Sequence, residues 1–484
     1  MKKRVSTLFR THRRRILQSV LVLAVATCAA ALVASTRFAS GAVPPAVRPP
    51  RDLPAGTVVS WPGRVHATAM LSHGAVSAAR PQTVFATVTV GADRSDRTDR
   101  APATFVLVID KSGSMAANGK IDAAREAAAR FIRAVDDDDE IAVVVYDSYP
   151  RAVVARGKAG DVREQALSAV ANLWAGGGTN IGDALALGLG SLEGGNSDRV
   201  RRIVLLSDGI DESGRPLETI VAVANRAATA SVAVSTVGIG ADYNESLMTR
   251  IADASFGNYH FLRETTELDR ILAAEYGELG ANVARDVVAE VKLPRGVSFV
   301  RANGVSASQS GSIVTVRYGS LFAGDERRAV LELRTEPGRP GPIGELATRV
   351  QYVDRESERQ VALAWKAMPL VATEDDRAVA RLTNPTCLEE GVEVAAAVRH
   401  DEAKTAWENG DVARANQIAE DNLRALREAN GALGSASIQA QIGEYEGHVG
   451  LFNSVSSTSV DGRMHVRDIT VSNRGRAQRD GARP

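Results

Sequence analysis

The segment Phe105–Met115, with the sequence FVLVIDKSGSM, decides the fold of this chain of 484 residues. Its first part, Phe105–Ile109, is continuously apolar, which predicts a strand that is covered on both faces within a parallel sheet. The carboxylate of Asp110 follows this strand, and the hydroxyls of Ser112 and Ser114 come next. Because hard divalent cations such as Mg²⁺ bind oxygen ligands, the segment predicts a cation site at the carboxyl end of the strand.

Two further segments contain residues that suit the same site. Residues 174–185, WAGGGTNIGDAL, form a glycine-rich stretch that contains Thr179. Residues 200–209, VRRIVLLSDG, read as a second apolar strand with Asp208 near its end. Ligands of doubly wound α/β sheets bind beyond the carboxyl ends of the strands. We therefore expect Asp110 and Asp208 to lie on that edge of the sheet.

Asp110, Ser112, Ser114, Thr179 and Asp208 resemble, in their order and context, the metal-ion-dependent adhesion site of the von Willebrand factor type A domain. The resemblance implies a doubly wound, mostly parallel, Rossmann-like α/β sheet, with these five residues as the metal ligands. It also implies that the cation is Mg²⁺, with Mn²⁺ or Ca²⁺ as alternatives. One position of the ion that faces solvent would then accept a carboxylate from a partner.

Simpler roles exist for several of these polar residues. Asp110 and the two serines could form a turn and cap the helix expected near Lys120–Ala134, but this role does not require Thr179 or Asp208. The acidic run Asp136–Glu140 predicts a solvated loop, with a second cation site as the alternative. Some residues are expected to serve as caps, turn residues or packing residues rather than ligands: Asp183, Asp211, Asp242, Trp174, Trp365 and Trp407.

The pattern of strands, helices and breakers divides the chain into seven segments. They are a signal peptide or N-terminal membrane anchor (1–40), a proline-rich linker (41–56), β-strands (57–101), the type A domain (102–280), a β-sandwich-like domain (281–368), a helical region (373–453) and a disordered tail (454–484). The strands on both sides of the α/β domain have the same alternating character. An economical arrangement therefore joins them in one sandwich, with the α/β domain inserted in its chain.

The N-terminal residues predict export. The first fifteen residues contain seven Lys or Arg and no acid, and Ile16–Ser35 is mostly apolar. A cleaved signal peptide and an uncleaved anchor both fit this pattern, and the positive flank keeps the N-terminus in the cytoplasm. We therefore expect the folded part in the bacterial cell envelope. It would be anchored in the cytoplasmic membrane and face outward, or be secreted or periplasmic after cleavage.

Charge and motifs narrow the function classes. With 58 basic and 58 acidic side chains, no overall field favours nucleic acid. The sequence contains no phosphate-binding loop, zinc-protease motif or nucleophile-elbow motif, so we expect no enzyme. Two classes remain. One is a metal-dependent protein-binding or adhesion module for a protein or peptide with an exposed Asp or Glu. The other is a scaffold or accessory subunit of a membrane complex, with a structural metal and contacts through the sandwich or the C-terminal helices.

Overall fold

The structure, a computed structural model, describes residues 56–93, 102–195, 199–240, 242–263, 267–277, 282–303, 306–336 and 338–477. The predicted signal or anchor segment (1–40) and the predicted linker (41–56), apart from Gly56, lie outside these residues. Within the described residues, no helix combines the length and apolar character needed to cross a membrane.

The described part of the chain alternates between strand-rich and helix-rich regions. The strands are β1 (Val58–Trp61), β2 (Val65–Leu71), β3 (Ala75–Ser77), β4 (Gln82–Ala92), β5 (Ala103–Asp110), β6 (Glu140–Tyr146), β7 (Arg151–Lys158), β8 (Val200–Ser207), β9 (Val232–Ile239), β10 (Tyr259–Leu262), β11 (Asn282–Lys292), β12 (Val297–Asn303), β13 (Ser306–Ser310), β14 (Ile313–Phe322), β15 (Glu326–Thr335), β16 (Gly341–Asp354), β17 (Gln360–Ala362) and β18 (Lys366–Thr373). The α-helices are α1 (Lys120–Ala134), α2 (Ala159–Ala171), α3 (Ile181–Gly190), α4 (Leu217–Thr229), α5 (Glu245–Ala254), α6 (Leu268–Gly277), α7 (Asp376–Arg381), α8 (Pro385–Glu408), α9 (Val412–Leu433), α10 (Ala436–Ser454) and α11 (Val460–Ala477).

The α/β domain is built on a six-stranded sheet with the strand order β10-β9-β8-β5-β6-β7. All neighbouring strands are parallel except β6 and β7, which are antiparallel. Alternate residues of β5 point to opposite faces. Phe105 and Leu107 pack with α1, α2 and α6, whereas Val106 and Val108 pack with α3, α4 and α5. Helices therefore cover both faces, and the predicted doubly wound, mostly parallel α/β fold is confirmed.

Strands from both sides of the α/β domain form one β-sandwich. One sheet has the order β1-β2-β4-β15-β12, and the other has the order β13-β14-β11-β16-β18-β3. Strand β4, which precedes the domain, pairs along its length with β15, which follows it. The two sheets share one core, to which Val88 and Leu331 contribute from the first sheet and Val291 and Val350 from the second. The α/β domain is thus inserted in the chain of the sandwich.

Four long helices, α8 to α11, follow the sandwich. Helix α8 lies on the β4–β15 sheet, where Cys387 and Val394 pack with Phe85. The approach is close at Gly391, because a Cβ atom there would lie 2.1 Å from Cγ of the Phe85 ring. A larger residue at this position would force α8 away from the sandwich.

Helix α11 corrects one prediction. The tail 454–484 is predicted to be disordered, but Val460–Ala477 is helical, so the prediction is wrong for these residues. The sequence of α11 is polar and rich in Arg, and its order comes from tertiary contacts. Arg474 donates two hydrogen bonds of 2.7 Å to Asp253 of α5, and Arg467 donates one of 3.0 Å to the Tyr243 carbonyl. Residues 478–484 lie outside the described residues.

A buried histidine lies in the core of the C-terminal helices. The ring of His400 is fully buried and stacks on Tyr445, with 3.7 Å between the ring centroids. Its Nε2 atom lies 2.8 Å from Nδ1 of His448. Burial lowers the pKa of His400 to about 2, and His448, Arg476 and Lys404 act in the same direction. His400 is therefore neutral in the folded chain throughout the physiological range.

We expect mild acid to destabilise the chain through His400. The unfolded chain binds a proton at this residue near pH 6.5, whereas the folded chain does so only near the depressed pKa, so stability is lost as the pH falls. One such group contributes at most about 1.4 kcal/mol per pH unit. In His400→Phe, the free energy of unfolding should therefore change less between pH 7.5 and 5.5, by about 1–2 kcal/mol. Urea unfolding followed by circular dichroism measures this difference, and equal pH dependence in both proteins would contradict it.

Candidate metal centre

The two acidic residues of the predicted site end neighbouring parallel strands. Asp110 is the last residue of β5, and Asp208 directly follows Ser207, the last residue of β8. The two strands are paired in parallel, with Ile109 opposite Leu206. This register brings both carboxylates to one edge of the sheet, where both are fully buried.

Asp110 is held through both of its carboxylate oxygens. The Ser112 amide donates to Oδ1 at 2.8 Å, and the Ser207 hydroxyl donates to Oδ2 at 2.9 Å. Burial raises the pKa of Asp110 to about 6 and the charge of Asp208 adds to this, although the hydrogen bonds from both serines oppose it. Within the described ranges, no basic side chain forms an ion pair with Asp110. Its carboxylate is therefore oriented by hydrogen bonds alone.

Asp208, by contrast, has a cationic partner. The Ser114 hydroxyl donates to its Oδ1 at 2.7 Å, and the Lys120 ammonium donates to its Oδ2 at 2.6 Å. The Ser112 and Ser114 hydroxyls lie 3.0 Å apart, so the two serines connect the two acids. Lys120 is not among the residues predicted from the sequence to belong to the site. Lys120 is the first residue of α1, where the positive end of the helix dipole disfavours a cation. A lysine at this unfavourable position is the feature of the sequence that could have pointed to a role at the site.

The glycine-rich loop brings Thr179 to the same place. The Gly113 amide donates to the Gly177 carbonyl at 2.9 Å, which fastens this loop to the loop after β5. A Cβ atom on Gly209 would lie 3.2 Å from Thr179 Oγ1 and 3.5 Å from Ser114 Oγ. The hydroxyls of Thr179 and Ser114 therefore both lie beside Gly209, the residue after Asp208. All five predicted ligands converge on this edge.

The donor set fits a hard divalent cation. It consists of two carboxylates and three hydroxyls, all oxygen, and Mg²⁺ is bound in proteins by few carboxylates while it keeps several waters. The structure therefore agrees with the residue types that a magnesium site needs. In the described part of the chain, no group of three or more His, Cys, Asp or Glu is arranged to hold a metal ion. The assignment of these five residues as ligands stays a prediction.

The other acidic residues singled out from the sequence have structural partners. Asp183 pairs with Arg215 at 2.6 Å, and Asp211 accepts a hydrogen bond of 2.8 Å from the Ile181 amide at the start of α3. Asp242 pairs with Arg463 of α11 at 2.9 Å. These residues lie in caps, turns and rim contacts.

The acidic run Asp136–Glu140 follows α1 and ends at Glu140, the first residue of β6. Its side chains form contacts with neighbouring elements. Asp138 pairs with Lys158 at 3.1 Å, and buried Asp139 accepts a hydrogen bond of 2.8 Å from the Ala103 amide. The simple expectation of a solvated loop is therefore wrong for Asp139, because its carboxylate satisfies the amide at the start of β5.

Three large apolar side chains around the site are exposed. Tyr149 and Trp174 are each 77% exposed, and Ile210 is 61% exposed. Tyr149 follows β6, Trp174 precedes the glycine-rich loop, and Ile210 is two residues after Asp208. The expectation that Trp174 is a packing residue is wrong, since its loop presents it to solvent. We call these three residues the apolar rim.

The model of the von Willebrand factor type A domain matches residues 105–274. Residues 105–274 form a von Willebrand factor type A domain. The match begins within β5 and ends within α6, so it covers the six-stranded sheet and the five predicted ligands. The expected von Willebrand factor type A domain is confirmed, and the metal site within it stays a prediction.

Two curated relatives of this chain are uncharacterized bacterial proteins. The chain is 28% identical over 286 residues to the uncharacterized protein YfbK of Escherichia coli, covering 56% of this chain and 48% of that protein. It is also 28% identical over 298 residues to an uncharacterized protein of Synechocystis, covering 58% of this chain and 69% of that protein. The chain thus spans about half the length of the E. coli relative that it matches.

Solved structures extend the likeness in fold beyond the type A domain. A von Willebrand factor type A protein from Catenulispora acidiphila covers 90% of this chain and aligns over 100% of its own length, with a TM-score of 0.64 and 21% identity. The ArnB paralog VWA2 from Sulfolobus acidocaldarius covers 86% of this chain and aligns over 99% of its own length, with a TM-score of 0.55 and 17% identity. At these identities the likeness shows the fold alone.

Neutralising Asp208 should destabilise the fold, whereas neutralising Asp110 should not. With a chelator present, Asp208→Asn leaves the buried Lys120 ammonium without its counter-charge, and we expect a loss of about 3–5 kcal/mol. Asp110→Asn removes a carboxylate whose ionisation is opposed by burial, so at pH 7.5 stability should be unchanged or raised by up to about 3 kcal/mol. Urea unfolding at pH 7.5 measures both effects. A large loss in Asp110→Asn, or none in Asp208→Asn, would contradict the charge pairing described above.

Proposed function

We propose that this chain is a divalent-cation-dependent protein-binding module of the bacterial cell envelope. It would hold a partner protein or peptide through an exposed Asp or Glu of the partner. The observation that supports this most is the convergence of five oxygen-bearing side chains beside an apolar rim. A metal-linked acidic contact and apolar anchors would then act on one surface.

Asp110, Ser112, Ser114, Thr179 and Asp208 would hold the ion, which is Mg²⁺ in this proposal. When bound, the ion supplies an electrophilic position for an oxygen of the partner. The protein's own part is orientation. Asp110 is fixed by two hydrogen bonds, and the Ser114 hydroxyl is fixed against Asp208. Ligands fixed in this way lose little entropy when the ion and the partner bind.

The apolar rim supports a protein partner rather than a small anion. Tyr and Trp are enriched among the residues that dominate binding energy in protein interfaces. Trp174 and Tyr149 are each 77% exposed, so a partner that covers the rim would bury aromatic surface. A free carboxylate could reach the ion but would leave this surface in water.

We assign the chain to binding rather than to catalysis, because the type A domain and the rim account for the site without a nucleophile. A scaffold or accessory-subunit role, with contacts through the sandwich or through α8 to α11, is the competing class. Exposed Val412, Val460 and Val471 on these helices are the surface features that such a role would use. The two classes differ in whether capture of a partner requires the five predicted ligands and the apolar rim.

Partner capture should require the metal, the ligand set and the rim. Losing one partner of a desolvated charged contact typically costs about 2–5 kcal/mol, which corresponds to weaker binding by a factor of about thirty or more. We expect this loss with chelator and with Thr179→Ala, and a clear loss with Trp174→Ala. Affinity capture from envelope extract of the source bacterium, quantified by mass spectrometry, measures it.

Two matched variants control for unrelated effects on partner capture. Thr229→Ala makes the same change at the end of α4, near the amino ends of the strands, and Trp365→Ala removes a 40% exposed Trp from the sandwich. Both should capture partners as the wild type does. Retention of partners within a few fold under chelator, with Thr179→Ala and with Trp174→Ala would discard the adhesion mechanism and favour the scaffold class.

The envelope location rests on the N-terminal sequence, and a reporter fusion tests it. We expect a reporter that is active only after export to be active when fused after Pro484, because the positive flank and apolar segment direct translocation. Replacing Arg13, Arg14 and Arg15 by Glu provides the charge control and should reduce export. Activity confined to a reporter that works in the cytoplasm would overturn the proposed topology.

A further inference from the structure

We propose that Lys120 is a built-in counter-cation of the metal site. It would weaken the affinity for the divalent ion and leave the loaded site with a surplus positive charge that an anionic ligand neutralises. This inference rests on the proposed function and adds the reason why the site would bind an acidic group. It also assigns a specific role to a residue outside the predicted ligand set.

The position of Lys120 is unfavourable for the helix but suited to Asp208. As the first residue of α1, it lies at the positive end of the helix dipole, where acidic residues are stabilising. Its side chain is nearly buried, and its Nζ atom lies 2.6 Å from Asp208 Oδ2. A buried ammonium costs desolvation energy, and the ion pair with Asp208 offsets this cost. A lysine at this position therefore lowers the stability of the helix but forms an ion pair at the site.

The surroundings of Lys120 keep its charge at the site. A Cβ atom on Gly240, which has a φ of 76°, would lie 3.4 Å from Lys120 Cε and 3.5 Å from Nζ. The backbone after β9 therefore closes the space beside the ammonium. The other lysine of this region, Lys111, has its own partner in Asp147. The charges of Lys111 and Asp147 balance each other. Lys120, by contrast, pairs with Asp208, which is a predicted ligand.

A count of the buried charges gives the consequence. Asp110 and Asp208 carry two negative charges and Lys120 carries one positive charge, so together they are singly negative. A divalent ion would make this group singly positive. In a poorly solvated site such a surplus is unfavourable, and one carboxylate from outside would remove it. Without Lys120, the two acids would neutralise the ion by themselves.

The inference predicts opposite changes in two affinities. Lys120→Met should tighten binding of the ion, on the order of tenfold to a hundredfold, because one repelling buried charge is removed. The same variant should bind carboxylate more weakly, because its loaded site is already neutral. Coupling is reciprocal, so a carboxylate that binds the loaded wild-type site also raises the apparent affinity for the ion.

The test uses the purified full chain in detergent, with Mn²⁺ as the ion and acetate as the carboxylate probe. The electron paramagnetic resonance signal of free Mn²⁺ gives the dissociation constant with and without acetate, after correction for acetate binding to free Mn²⁺. Circular dichroism first establishes that each variant is folded. Lys120→Gln is a second neutral variant in case Lys120→Met does not fold, and Lys120→Arg keeps the charge.

Lys111→Met is the matched control, because Lys111 lies between Asp110 and Ser112 in the same loop but its ammonium pairs with Asp147 and not with a predicted ligand. We expect both neutral Lys120 variants to bind Mn²⁺ at least tenfold more tightly and to lose most of the acetate effect. Lys120→Arg and Lys111→Met should remain within about threefold of the wild type. This combination of results supports the inference.

Two other outcomes overturn the inference in distinguishable ways. If the wild type binds Mn²⁺ but the neutral Lys120 variants bind it within threefold of the wild type, Lys120 is a structural partner of Asp208 and the proposed function stands. If neither the wild type nor any Lys120 variant binds Mn²⁺ more tightly than Asp110→Ala, the metal-dependent function fails, and the inference fails with it.

Discussion

The parallel pairing of β5 with β8 is the constraint on which the site depends. It places Asp110 and Asp208 side by side at an edge where both are shielded from water, and two like charges in such a place are unstable without partners. Neighbouring residues stabilise the two carboxylates. Ser112 and Ser207 donate to the first acid, and Ser114 and Lys120 donate to the second. The groups that stabilise the buried acids also determine the net charge of the site to which an ion and its ligand would bind.

Because of the way the domain is inserted, the chain segments that connect it to the sandwich do not lie at that edge. The chain enters the type A domain at Ala103, the first residue of β5, which is the end opposite to Asp110. It leaves through α6, where the Tyr276 hydroxyl lies 3.2 Å from Asp139, and Asp139 accepts a hydrogen bond from the Ala103 amide. Entry and exit therefore lie together at the amino ends of the strands. The loops with the predicted ligands project from the opposite end, away from the connections to the sandwich.

The sequence was sufficient where local chemistry carries the information. An apolar run with an acid at its end predicts a buried strand and the position of Asp110 without reference to the rest of the chain. The pair Lys120–Asp208 is different, because its residues are 88 positions apart and helix and strand patterns do not specify which side chains meet. The exposure of Trp174 is also undetermined by composition, since an aromatic residue in a loop can pack inward or face solvent.

Strand β7 and helix α11 depend on contacts that are not local, so local sequence patterns do not indicate them. Strand β7 has mostly exposed or half-buried side chains and lies at the edge of the six-stranded sheet beside β6, so it lacks the apolar run of a central strand. Helix α11 reads as a polar tail, but its arginines bind α5 and the residues just before it. Tertiary contacts override weak local preference in both elements.

The contacts of α11 also connect the C-terminal helices to the predicted metal site. Arg467 of α11 donates to the Tyr243 carbonyl, and the next residue, Asn244, donates its amide to the Gly209 carbonyl at 3.2 Å. Gly209 directly follows Asp208, so the loop that holds this acid is supported from α11 through consecutive hydrogen bonds. The loop of Thr179 is held from other neighbours, because the Gly177 carbonyl accepts a hydrogen bond from the Gly113 amide at 2.9 Å and the Gly178 amide donates to the Ser148 hydroxyl at 2.9 Å. Asp208 and Thr179 are thus supported from different parts of the fold, the first from the C-terminal helices and the second from the loops that follow β5 and β6.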